Sequence, residues 1–432
     1  MFASYRRILS LPGALAFTLY GLLARLAMSM SGVSVVAMVA ERRGSYALAG
    51  AVSAAGLATV AVVMPLLGRL VDRYGQARVA VPATLTASVP LAGLLVCVRL
   101  GAPTWTLFVC WAAASTVPNV GGMVRARWTH LLRDDAAGRH LANSLEQALD
   151  ELCFMTGPVL AVLLCGSLLP EAGLIGAGLL CASGMFLLAS RRDTEPPLSG
   201  SGGTPDATAP GRTADAHPAR SGAPARGRRG LWALLPVFLC TGVVFGALEV
   251  TTLACADAGG HRAWAGLLLG LVAAGSCVSG LAFGLLRPRR PARTRLLVGL
   301  AAMTGLLLPL PLAGSAGGSP ALLALALFAA GSATAPTMIS GMTLVQEAVP
   351  AHRLNQGMAA AVSAILIGIS AGSALGGLVA GQGDPASGYL VLVGAAAAAL
   401  LVAAAGLRVL RGAGPGTPDG RDLREPSVGA AR

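Results

Sequence analysis

The sequence predicts an all-α membrane protein with twelve transmembrane helices in two six-helix halves. Three observations predict it. Of 432 residues, 55% are hydrophobic and only 12% are charged, where a soluble domain carries about 25% charged residues; mean hydropathy is +0.70. Apolar runs, most of them near the length of about 20 residues that crosses a bilayer as a helix, recur along the whole chain. One long polar segment, 191–230, divides them six and six.

The first run, 11–40, follows Arg6 and Arg7. It is too long for the core of a cleaved signal peptide and has no small-x-small cleavage site, so it reads as an uncleaved first span. The next five spans are predicted at 46–67, 79–99, 104–125, 141–165 and 172–190. The second six fall at 231–256, 263–286, 295–312, 320–345, 356–380 and 388–408. Segment 191–230 is rich in Pro, Gly, Ser, Thr and Ala and lacks apolar periodicity, so it cannot bury enough surface to offset its ordering entropy. It is predicted to be a flexible linker, and 411–432 a disordered tail of the same kind. The expected domains are therefore 1–190, the linker 191–230, 231–410 and the tail 411–432.

The net charge of +13 is carried by Arg alone, because the chain has no Lys. The Arg residues cluster in every second connection between runs, a placement that argues for membrane topology and against nucleic acid. The excess of basic residues on one side predicts that both termini and the linker are cytoplasmic: Arg6, Arg7, Arg69, Arg73, Arg78, Arg125, Arg127, Arg133, Arg139 and Arg353 fall inside, and only Arg42, Arg43, Arg99 and Arg262 outside. Lack of Lys with abundant Ala, Gly and Arg points to a GC-rich coding genome, hence to a bacterial inner (plasma) membrane. Eight Cys are scattered through apolar runs without a C-x-x-C pair and read as small hydrophobes. The five His lie in connections without metal-ligand spacing. No phosphate loop, nucleotide fingerprint or nucleophile elbow is present, so no enzyme, cofactor or metal is expected.

The most informative stretch is Gly68-Arg69-Leu70-Val71-Asp72-Arg73-Tyr74-Gly75-Gln76-Ala77-Arg78, a short polar break after the second run. In letters and placement it resembles the loop between the second and third helices of the major facilitator superfamily, with Gly68, Asp72, Arg73, Gly75 and Arg78 filling the pattern. The halves echo each other: Gly284 begins a degenerate copy after the eighth run, Pro118 answers Pro336, and Asn143 answers Asn355. Repeated halves agree with the facilitator architecture. The resemblance implies that the loop is a gate latch, holding an outward-facing arrangement through charge contacts; a plain topology anchor is the alternative.

Ionisable groups inside spans are costly and mark function by default. Arg25 lies about 21 Å of helical rise from Leu11, too deep to snorkel. Glu146 and Asp150 share a helix face, Glu151 points about 100° away, and Glu249 sits in span seven. One reading is an Arg25–carboxylate pair that only fixes packing. The other is a charge network of Arg25, Glu146 and Asp150, facing Glu249 across a central cavity with Asn119, where a buried carboxylate carries a proton. Gly157-Pro158 resembles the core of the antiporter motif of drug-exporting facilitators, although Ala161 and Val162 stand where that motif has glycines. No Arg is expected inside span four, where typical drug/proton antiporters carry one.

The function expected is proton-coupled export of a small organic molecule, a drug or secondary metabolite, by alternating access. Uptake of a sugar or organic anion, with Arg25 on the anion, is the alternative. A non-transporting membrane sensor or assembly protein is a third reading. The expected partners are a small-molecule substrate, protons and the bilayer, and a monomer is expected.

Overall fold

The computed structural model describes residues 2–197, 223–259, 265–286, 289–315 and 319–411. Arg262, Arg287, most of the expected linker and the tail from 412 lie outside the described residues. Among those described, helices account for all regular structure. The first half holds α1 (Phe2–Leu9), α2 (Ala14–Arg43), α3 (Tyr46–Tyr74), α4 (Gln76–Arg99), α5 (Thr104–Ala114), α6 (Val120–Leu131), α7 (Ala136–Ser167) and α8 (Ala172–Ser190). The second holds α9 (Ala223–Ala258), α10 (Ala265–Leu285), α11 (Ala292–Leu307), α12 (Leu310–Ala313), α13 (Pro320–Ala348), α14 (Leu354–Ala380) and α15 (Tyr389–Arg411). Eleven helical segments are long and apolar enough to cross a membrane. The remaining span is α5 and α6 in tandem.

That tandem departs from the predicted continuous span 104–125. Pro118 has no N–H to donate and disfavours helix in Val117, and Asn119 then restarts the helix by accepting from Gly122 N at 3.1 Å. The restarted helix runs to Leu131, and its Arg125 and Arg127, expected at and just beyond the cytoplasmic end of the span, are 5% and 0% exposed within the bundle. Pro336 leaves α13 continuous. The segment expected as linker from Arg191 is docked up to Pro197. Arg127 donates to Leu188 O, Arg191 O and Thr194 Oγ1 at 2.7–2.9 Å, and Glu195 accepts from the first backbone amides of α4. At the other side, 223–230 form the first turns of α9.

Alternation of the spans puts α1, the Gly75 turn and the N-termini of α7, α9 and α14 at one end of the molecule, here the loop end; the other is the far end. Within the second half, glycines at helical spacing let α9 and α14 touch backbone to backbone. A Cβ on Gly368 would lie 2.9 Å from Gly242 Cα, and one on Gly376 the same distance from Ala247 Cα. Small-residue contacts of this kind replace the hydrophobic drive that lipid removes. At the far end of the first half, the fully buried Glu171 accepts from Arg42 Nε at 3.1 Å and Arg99 Nε at 3.0 Å, tying α2 and α4 to the start of α8.

Candidate functional site

The loop-end contact between the halves is built around Asp72. Helix α14 begins after Arg353, whose side chain gives no cap, so the first amides of α14 need an outside acceptor. Asp72, from the other half, supplies it: its carboxylate accepts from Asn355 N at 3.0 Å, Gln356 N at 2.8 Å and Asn355 Nδ2 at 2.8 Å. A negative charge at a helix N-terminus is also favoured by the helix dipole. The contact thus runs from a carboxylate to a helix end rather than to an Arg. Gly68 makes room for it, since a Cβ there would lie 2.9 Å from Asn355 O. Gly75 turns the chain between α3 and α4 at φ 96°, a region that favours glycine. Arg73 lies over its neighbour Tyr74, 5.2 Å from the ring centroid; Arg73 and Arg78 are exposed.

The pseudo-equivalent contact joins α7 to α10. A Cβ on Gly284 would lie 2.5 Å from Ser144 Cβ and from Tyr5 Oη, and the Tyr5 hydroxyl of α1 donates to Leu281 O at 2.8 Å. His140 Nε2 lies 2.9 Å from Phe283 O and His140 Nδ1 2.9 Å from Arg295 Nη1. Asn143 and Gln346 exchange amide hydrogen bonds at 2.9 and 3.1 Å. Deeper along the same seam, Glu151 accepts from Ser276 Oγ at 2.9 Å and from Gln147 Nε2 at 3.1 Å. Among the described residues, no hydrogen bond or ion pair joins the halves beyond that point toward the far end.

The charge network lies in the first half. Arg25 places Nη2 2.7 Å from Glu146 Oε2 and Nη1 2.8 Å from Asp150 Oδ1. Arg125 Nη2 meets the other Asp150 oxygen at 2.6 Å, and Trp128 Nε1 donates to Glu146 Oε1 at 2.8 Å. Two Arg and two carboxylates therefore balance, with Arg25, Arg125 and Glu146 buried and Asp150 partly buried. Arg127 forms a separate buried centre, donating to Gln76 Oε1 at 2.7 Å. Gly157 packs on α2, where its Cβ would collide with the Ser29 side chain, and Pro158 sits inside α7, which stays helical.

The profile of the major facilitator superfamily matches residues 17–361. The chain belongs to the major facilitator superfamily. No curated protein matches it. Several solved facilitator structures share the fold. A bacterial homologue of the iron transporter ferroportin in an outward-facing state is 16% identical, covers 92% of this chain and 100% of its own, and has a TM-score of 0.68. The human organic anion transporter MFSD10 (TETRAN) is 15% identical, with 92% and 99% covered and a TM-score of 0.63. The transporter FucP in its outward conformation is 14% identical, with the same coverage and a TM-score of 0.62.

Within this facilitator fold, the structure joins Arg25, Glu146 and Asp150 but leaves Asn119 and Glu249 outside their hydrogen-bonded cluster. Asn119 spends its oxygen on capping α6. Glu249 is exposed on the far half of α9 and pairs with no described residue. Hydropathy missed Arg125 because a span that breaks and restarts carries its polar residues deeper than the apolar run ends. The signal was there: Pro118-Asn119 reads as stop and cap. For Glu151 the sequence gives a direction and a candidate carboxylate but not its partner, Ser276, which lies 125 residues away.

Proposed function

We propose that this facilitator exports a small organic molecule from the cytoplasm by alternating access, in exchange for protons. The observation that carries the reading is the one-sided seam, latched from Asp72–Asn355 down to Glu151–Ser276 and, among the described residues, without polar links between the halves farther on. With the loop end cytoplasmic, as the Arg residues at 6, 7, 69, 73, 78, 133, 139 and 353 favour, this state is outward-facing. Glu151 and Glu249 are the proton carriers that fit best. Glu146 and Asp150 are occupied by Arg25 and Arg125, whereas Glu151 meets only neutral donors and bridges the halves. Losing its charge turns a charge-assisted hydrogen bond into a neutral one of roughly half the strength. A proton arriving from the far side thereby loosens the seam and favours return to the inward-facing state, which is the order antiport needs. Uptake of an organic anion at Arg25 is less favoured, since both guanidinium groups of the network already hold carboxylates.

The test is pyranine fluorescence inside proteoliposomes during addition of a panel of lipophilic drugs and organic acids. At least one solute should drive proton counterflow. Glu151→Gln should cut that flow at least tenfold and keep solute-for-solute exchange. Solute movement without any proton flux in the wild type would remove the coupling from the reading.

A further inference from the structure

A groove of about 850 Å³ opens at the loop end where α3 of one half meets α9 and α14 of the other. Its rim is cationic, with Arg69 and Arg353 lining it beside His352. Its wall is apolar, running along Pro65, Leu235, Leu239, Ala360 and Ile367. Trp232, 63% exposed, stands at the rim, two residues inside the span that begins at Gly230. Tryptophan favours that headgroup level. From Arg353 to Ile367 the wall follows α14 for about 21 Å of helical rise, so the groove starts at the membrane surface and continues into the hydrocarbon.

Arg69 and Arg353 form no ion pair among the described residues. Arg69 meets the neutral Gln356 amide at 2.8 Å, with that amide turned so its oxygen accepts. Asp72, three residues from Arg69 on α3, is taken by the N-terminus of α14.

We propose that the groove binds an anionic diacyl phospholipid, with its phosphate held between Arg69 and Arg353 and an acyl chain along α9 and α14. Charge complementarity selects the headgroup, since basic pockets between helices at the cytoplasmic face suit anionic lipids. The apolar wall selects a lipid over free phosphate. Arg69 belongs to one half and Arg353 to the other, so the bound lipid bridges the seam and favours the closed loop end.

Native mass spectrometry of the purified full chain, with equal amounts of phosphatidylglycerol and phosphatidylcholine of identical chains, tests the site. The wild type should retain phosphatidylglycerol at collision energies that strip phosphatidylcholine. Arg69→Gln with Arg353→Gln should lower phosphatidylglycerol retention at least fivefold and leave phosphatidylcholine unchanged. Equal retention of the two lipids by the wild type would overturn the proposal, as would undiminished phosphatidylglycerol in the double variant. Displacement of phosphatidylglycerol by millimolar inorganic phosphate would show a plain phosphate site instead. If the double variant does not purify as a monodisperse species, the exposed, unpaired Arg353→Gln alone decides by the same comparison.

Discussion

Asp72 stabilises a helix that belongs to the opposite half, which makes its charge a direct control on the seam. Asn at this position keeps one acceptor oxygen but loses the charge and the second acceptor. The charge–dipole part of such a contact is worth up to about 2 kcal/mol, roughly a factor of 5–30 in the balance of two states. Asp72→Asn should therefore shift the molecule toward an open loop end while inserting normally. Spin-label distances across the loop end should lengthen in a larger fraction of molecules, and an unchanged distance distribution would reduce Asp72 to a turn residue. Arg25 is different, because its partners lie in its own half. Arg25→Ala leaves Glu146, which is 0% exposed, with only Trp128, and breaking a buried pair from one side costs about 3–5 kcal/mol. The single variant should express poorly; Arg25→Met with Glu146→Gln should recover folded protein, since Gln still accepts from Trp128 and Asp150 keeps Arg125. Monodisperse yield in detergent reads both outcomes.

Helices were legible in the sequence wherever length and hydropathy sufficed, which covers eleven spans. The broken span was not, because α5 and α6 each fall short of a bilayer and only their stacking end to end crosses it. Pro118-Asn119 marks the break that carries Arg125 and Arg127 deeper, but their burial was not legible, because their partners, Asp150 and the segment after α8, come from other elements. The signature loop was legible in its letters, whereas the acceptor role of Asp72 depends on a helix 283 residues away. Glu171 illustrates an element-level tie with a pH signature. Burial pushes its carboxyl up, but hydrogen bonds from Arg42 and Arg99 outweigh burial and hold it below the ordinary glutamate value. A carboxylate held low in the folded state contributes stability above its unfolded pKa, and that contribution fades as pH falls through the lower folded value. Thermal stability should be insensitive to this group from pH 8 to 5 and decline below the ordinary value of about 4.3. Glu171→Gln should be less stable at pH 7 and lose this acid-dependent component. An identical acid profile in the variant would assign the decline to other groups.

Across the whole molecule, two pseudo-equivalent contacts close the same end, and they are chemically unequal. Gly68 lets α3 approach α14 under an ionic cap, while Gly284 lets α10 approach α7 under contacts among His140, Asn143 and Tyr5 that contain no carboxylate. The Asp72 side therefore depends on a carboxylate that caps a helix end, and the α7–α10 side on close packing and neutral hydrogen bonds at the loop end, with the Arg295–His140 contact beside them and the Glu151 carboxylate deeper on Ser276. Alternating access requires both to part together. Asn143 and Gln346, whose amides exchange hydrogen bonds at 2.9 and 3.1 Å, mark a pair that must separate for the loop end to open. With the eight native cysteines replaced, Asn143→Cys and Gln346→Cys joined by a short thiol-specific cross-linker should arrest transport, and reductant should restore it. Under the proposed exchange, solutes and protons should stop together, because a molecule held in one state moves neither. Continued proton leak through the cross-linked molecule would mean that protons cross without the rocking motion. Continued solute flux would place the moving parts away from the α7–α13 contact and leave the seam as mere packing.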